Sequence, residues 1–147
     1  MKAIINTELN IPSEDAWFLV KQSKTLIYVC KGLLAFNGSN SFPEQWREGA
    51  IIHTRLLFFG VIPAWQHSLR FESISNELKI ILTQEKGGLV QSWNHEIKVE
   101  EKSSTSCIYT DTVDIKAGLF TPLVWLFASF LYRYRQRRWK LLPHKST

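Results

Sequence analysis

Apolar and polar residues alternate over the first eleven positions. Ala3, Ile5, Thr7, Leu9 and Ile11 fall on one side, with Asn6, Glu8 and Asn10 on the other. A period of two marks a half-buried strand, here Lys2 to Ile11, and Pro12 stops it. Ser13 is suited to cap a helix, with Glu14 and Asp15 in its positively polarised first turn. Ala16, Trp17 and Val20 give that helix an apolar face. Lys21 to Gly32 follows no single period, and a second short helix ending near the glycine is one reading. Asn37 to Pro43 (NGSNSFP) is a loop by its turn-forming residues.

Five strand-like runs follow: Ala50 to Phe59, Ala64 to Ser75, Leu78 to Glu85, Val90 to Glu101 and Thr105 to Lys116. Gly60, Pro63, Gly87-Gly88 and the Lys102-Ser103-Ser104 turn punctuate them. Runs at hairpin spacing predict an antiparallel meander. The chain closes on a helix from Pro122 to Leu142, roughly 31 Å long at 1.5 Å per residue. Thr121 is placed to cap it, Pro122 suits its first position, and Pro143 ends it. A strongly twisted sheet cannot leave an apolar concave face in water, and this helix is the element long enough to cover it. Where the two do not seal, a pocket is left. Within the helix, Leu123, Phe127, Phe130, Tyr134 and Leu141 form the stripe expected to face the sheet. Trp125, Tyr132 and Trp139, beside Arg135, Gln136 and Lys140, are expected on the opposite side.

Composition narrows the picture. With 147 residues, 45% hydrophobic and 21% charged, one domain over residues 1–147 is expected, with a long C-terminal helix over residues 118–143 whose end is basic. The net charge of +5 is concentrated: six of the eighteen Lys and Arg lie from Arg133 onward, with no acid among them. The remainder is close to neutral, which argues against a basic nucleic-acid-binding face. Cys30 and Cys107 show no paired or zinc-type spacing and are expected reduced and packed. The N-terminal apolar stretch is broken by Asn6 and Glu8, unlike a signal peptide, and a cytoplasmic location is the expectation. The stretch from Pro122 to Tyr132 is far short of the about twenty residues that span a bilayer. No nucleophile elbow, phosphate-binding glycine loop or dinucleotide fingerprint occurs, so neither cofactor nor metal is expected.

The order of elements, one strand, one or two short helices, a long meander and a long final helix, resembles the START-like (SRPBCC, polyketide cyclase-like) superfamily. Ile11-Pro12-Ser13-Glu14-Asp15-Ala16-Trp17 is similar to that superfamily's strand–proline–helix opening. Trp93-Asn94-His95, Asp111, Ala117-Gly118 and the run RYRQRRW from Arg133 to Trp139 resemble a bacterial subgroup with no firmly assigned activity. The resemblance covers nearly the whole chain. It implies an α+β helix-grip fold: a curved antiparallel sheet wrapped around a long C-terminal helix, with one or two short helices after the first strand. It also implies binding or transport of an apolar small molecule, such as a lipid, isoprenoid or polyketide-like ring, between sheet and helix. It carries over no catalytic residue, because the superfamily shares no universal catalytic motif.

Candidate chemistry centres on the last hairpin. Trp93, His95, Ile97 and Val99 share one face of its first strand; Cys107, Tyr109, Asp111, Val113 and Ile115 share one face of its second. A three-residue turn at Lys102 to Ser104 would set His95 directly opposite Asp111, with Cβ atoms about 5 Å apart. Such a pair could fix one imidazole tautomer and make His95 a general base, or it could simply satisfy its own hydrogen bonds in the core. Residues expected to line the pocket are Leu56, Phe58, Trp65, His67, Leu69, Phe71, Trp93, His95, Tyr109, Asp111, Phe127 and Phe130. His53 falls with Ile51 and Arg55 on the outer face. Binding of an apolar ligand is the favoured reading. One alternative is a cofactor-independent cyclase, dehydratase or hydrolase using His95 and Asp111. The other is contact with a membrane surface, a protein or a second copy in a homodimer, through Trp125, Tyr132, Arg135 and Trp139.

Overall fold

A computed structural model describes residues 1–142. Strand β1 (Lys2–Leu9) leads into helices α1 (Ser13–Val20) and α2 (Ser23–Cys30), and then into the short strand β2 (Leu34–Asn37). Strands β3 (Ile51–Phe58), β4 (Ile62–Ser75), β5 (Ile80–Gly87), β6 (Val90–Ser103) and β7 (Ser106–Lys116) form the meander, and α3 (Thr121–Leu141) ends the described chain. All seven strands make one antiparallel sheet in the order β1-β7-β6-β5-β4-β3-β2. The first strand thus pairs with the last, and the sheet curls around α3 as a helix-grip fold. Among the described residues no helix is long and apolar enough to cross a membrane.

The elements follow local chemistry with three adjustments. Ser13 is the first residue of α1 and not its cap: Pro12 holds the cap position, and its carbonyl accepts from Asp15 and Ala16. Thr121 likewise begins α3, and its hydroxyl ties the preceding 3₁₀ turn by accepting from the Ala117 amide and donating to the Gly118 carbonyl. Pro63 lies inside β4. Strand β2 was not resolved from the pattern because four residues are too short to show a period. The end of the final helix at Pro143 lies outside the described residues.

The last hairpin also differs in register. Its turn is Ser104-Thr105, and Lys102 is bulged out of the ladder between Glu101 and Ser103. His95 therefore sits opposite Val113, and Asp111 opposite Ile97. The slip from the expected register is two positions, so every side chain keeps its face. His95 and Asp111 are diagonal neighbours instead of direct ones.

The larger correction concerns α3. Leu123, Phe130 and Leu141 are exposed, while Tyr132, Arg135, Gln136 and Trp139 are buried against the sheet. Ala128, Leu131, Tyr132, Arg135, Gln136 and Trp139 recur at helical spacing and form the inner face. The helix is rotated about its axis because the concave face carries carboxylates and imidazoles. Those groups need hydrogen-bond donors, and the more purely aliphatic side of α3 has none to offer. Trp125 is half-buried, and its indole N–H donates to the Lys2 carbonyl on β1 at 2.9 Å. The predicted surface stripe is therefore part of the core, which removes it as a membrane or partner contact.

Candidate functional site

The inward residues of β3 to β7 enclose a cavity of about 100 Å³ with α2 and α3. Ten of the twelve residues expected to line it do so: Leu56, Phe58, Trp65, His67, Leu69, Phe71, Trp93, His95, Tyr109 and Phe127. Phe130 does not, because it projects from the outer side of α3 and is exposed. Asp111 does not reach the cavity wall; it is 1% exposed and lies behind His95. His53 is on the outer face, as its strand parity requires.

Aromatic rings build both ends. Phe58 meets Trp65 and Phe127 edge-on, each at 5.7 Å between ring centres. Trp46 stacks on Phe71 at 4.7 Å, with Phe42 and Phe36 continuing the wall. The Gly87-Gly88 turn does more than reverse the chain. Gly88 has a φ of +54°, and a Cβ there would lie 2.6 Å from the Trp65 indole. The bare backbone lets that indole lie against it.

A polar belt crosses the otherwise apolar cavity. His95 Nε2 donates to Asp111 Oδ1 at 2.7 Å. Tyr109 donates to the same oxygen at 3.2 Å, and Gln136 Nε2 to Asp111 Oδ2 at 3.0 Å. Beside this triad, His67 Nε2 donates to Glu85 Oε1 at 2.9 Å, while Thr83 donates to Glu85 Oε2 at 3.3 Å. The Trp65 indole N–H reaches His67 Nδ1 at 3.4 Å, so Nδ1 accepts and Nε2 donates in both of that ring's contacts. His95 Nδ1 makes no hydrogen bond; it faces Glu85 Oε2 across 3.8 Å. Trp93 donates to the Tyr132 hydroxyl at 3.0 Å. The Arg135 guanidinium lies over the Tyr132 ring, 5.0 Å from its centre.

These surroundings set protonation. Burial alone would push the Asp111 carboxyl up, but the His95 hydrogen bond, nearby Arg135 and the Gln136 amide outweigh it and hold the group below its ordinary 3.8. Glu85 behaves alike: burial raises it, and the His67 hydrogen bond with the neighbouring imidazoles and Arg135 brings it below 4.5. Burial pushes the Cys30 thiol up to about 11, so this cavity-lining sulfur is no nucleophile near neutral pH. Cys107 is also a free, buried thiol. Burial raises the Tyr109 and Tyr132 hydroxyls well above their usual range, which keeps both neutral. Among the described residues no three His, Cys, Asp or Glu side chains are placed to hold a metal ion.

Sequence reasoning found the His95–Asp111 pair and His67, missed Glu85, and placed Tyr132, Arg135 and Gln136 on the outer side of the helix, where the structure buries them. Glu85 was visible in principle, since Ile81, Thr83 and Glu85 share the inward parity of β5. Arg135 was read as a surface contact, because a run of basic residues does not show which of them faces the core.

Sheet and helix together form a START-like, helix-grip fold. Solved structures agree on the fold. A START superfamily protein from Mycobacterium smegmatis superposes with a TM-score of 0.67 at 10% identity, covering 95% of this chain and 94% of that one. Ginseng major latex-like protein 151 from Panax ginseng gives 0.69 at 15% identity, covering 97% and 98%. Norcoclaurine synthase from Thalictrum flavum, solved in complex with dopamine and hydroxybenzaldehyde, gives 0.63 at 18% identity, covering 100% and 90%. No curated protein matches the sequence. The chain belongs to the family described as Domain of unknown function (DUF8410), whose model matches residues 37–141.

Proposed function

We propose that the protein binds a small, largely apolar molecule in the cavity between sheet and α3. The observation that carries this reading is the cavity itself: about 100 Å³ left open in a core whose aromatic rings otherwise pack against one another. Interiors normally close such space, since an unfilled void costs stability. The volume suits a ring-sized ligand, and a longer chain would enter only if Phe58, Trp65 or Phe127 swung aside. The presence of dopamine and hydroxybenzaldehyde with norcoclaurine synthase, in the same fold, supports an aromatic-sized occupant. Native mass spectrometry of freshly purified protein tests the reading. The expected result is a reproducible extra mass that disappears on denaturation. A clean mass, combined with no thermal shift across a panel of small aromatic compounds, would sink it.

A second reading is proton-transfer catalysis by His95. What favours it is that Asp111 engages Nε2 while Nδ1 is left without a hydrogen bond on the cavity side. Asp111 would orient the ring, and Nδ1 would accept a proton from a bound carbon acid. The measurement is deuterium exchange from solvent into phenylacetone, followed by NMR. Exchange above the buffer rate that is lost in His95→Gln is expected under this reading. A wild-type rate equal to buffer counts against it.

A further inference from the structure

Arg135 is a buried cation that, among the described residues, forms no ion pair and no side-chain hydrogen bond, although Asp111 and Glu85 are near enough to feel its charge. It is 7% exposed and lines the cavity from the inner face of α3. Its Nε is buried with no hydrogen-bond partner. The two carboxylates nearby do not supply one. Glu85 is engaged by His67, Thr83 and, at 3.8 Å, His95; Asp111 is engaged by His95, Tyr109 and Gln136. Among the described residues neither forms an ion pair with the guanidinium. Among the described residues its guanidinium lies against the face of Tyr132, and Nε is the donor left buried without a partner.

Burying a guanidinium this way is costly, since each unmade charged hydrogen bond forfeits its solvation. Arg stays protonated at any pH where a protein is folded, so it cannot escape by neutralising. The cost is recovered when an anion enters the cavity and accepts from the fork. We infer that Arg135 anchors the head group of the cavity ligand, and that this head group is a carboxylate. A carboxylate matches the planar fork with two parallel hydrogen bonds. A doubly charged phosphate fits less well, because Glu85 and Asp111 stand close by and the volume is small. The ligand would then be an aromatic or short-chain acid, its carboxylate on Arg135 and its apolar body against Phe58, Trp65 and Phe127. The assignment rests on the cavity being a binding site.

Two pairs of probes separate the claims: benzoate with benzamide, and octanoate with octanamide. Each pair shares its shape and differs in charge. Binding is followed by calorimetry on wild-type protein, Arg135→Gln and Arg135→Lys, with melting curves to verify folding. In wild type an acid is expected to bind at least ten-fold more tightly than its amide. That preference should collapse in Arg135→Gln and persist in part in Arg135→Lys. Equal affinity for acid and amide in wild type overturns the assignment and leaves the cavity reading intact, even if the variants fail to fold. A preference that survives in Arg135→Gln overturns it too, since another group then holds the anion. Binding of none of the four compounds overturns the assignment, and the cavity reading is then decided by native mass spectrometry.

Discussion

Asp111 accepts hydrogen bonds from His95, Tyr109 and Gln136, and water hardly reaches it. Three donors from β6, β7 and α3 converge on one carboxylate, so its loss would strand all three. Asp111→Ala is expected to cost about 3–5 kcal/mol, the range for breaking a buried charge pair, in urea denaturation. The same contacts set the acid limit. Asp111 and Glu85 are held below their ordinary 3.8 and 4.5 in the folded protein. A carboxylate depressed on folding contributes stability that is complete above its unfolded value and lost as pH falls through the folded one. From these groups, stability is therefore flat above about pH 5 and declines below it. Asp111→Asn should flatten that decline; an unchanged acid limb would show that the pair is not its source. The pair itself was readable because strand parity survives a register slip of two positions. Arg135 was not, since nothing in RYRQRRW says which of its cations faces inward.

At the scale of elements, α3 carries the main lesson. Both of its sides are apolar enough to seek a core, and the side with Leu123, Phe130 and Leu141 looks the more hydrophobic. The structure turns the other side inward, where Gln136 reaches both Asp111 and the Ile5 carbonyl, the latter at 2.6 Å. Trp139, 1% exposed, packs 5.0 Å from the Tyr109 ring. Thermal and urea unfolding of two variants checks the orientation. Trp139→Ala should lose about 3–5 kcal/mol, as large buried aromatics do. Phe130→Ser, on the exposed side, should stay within about 0.5 kcal/mol of wild type. Reversed magnitudes would restore the orientation that hydrophobicity alone suggests. The strands were easier to place: alternation and glycine punctuation are local signals, and six of the seven appear close to their observed bounds. Lys102 misled the register because a bulge leaves no mark in an alternating pattern.

For the molecule as a whole, the cavity is a consequence of curvature. A sheet that bends around one helix encloses more space than a single row of side chains fills, and bulges at Glu72 and Lys102 fall within its long strands. The order of elements, the antiparallel meander, the long final helix and the inward parity of most cavity residues were determined by sequence alone. Each depends on a period or a turn that neighbouring residues define among themselves. The pairing of β1 with β7, the rotation of α3, and the meeting of Glu85, Arg135 and Gln136 with the His95–Asp111 pair were decided only by tertiary structure. Those contacts join residues up to 131 positions apart. Their outcome depends on which face satisfies buried charge, and only the assembled fold brings that charge and its donors together.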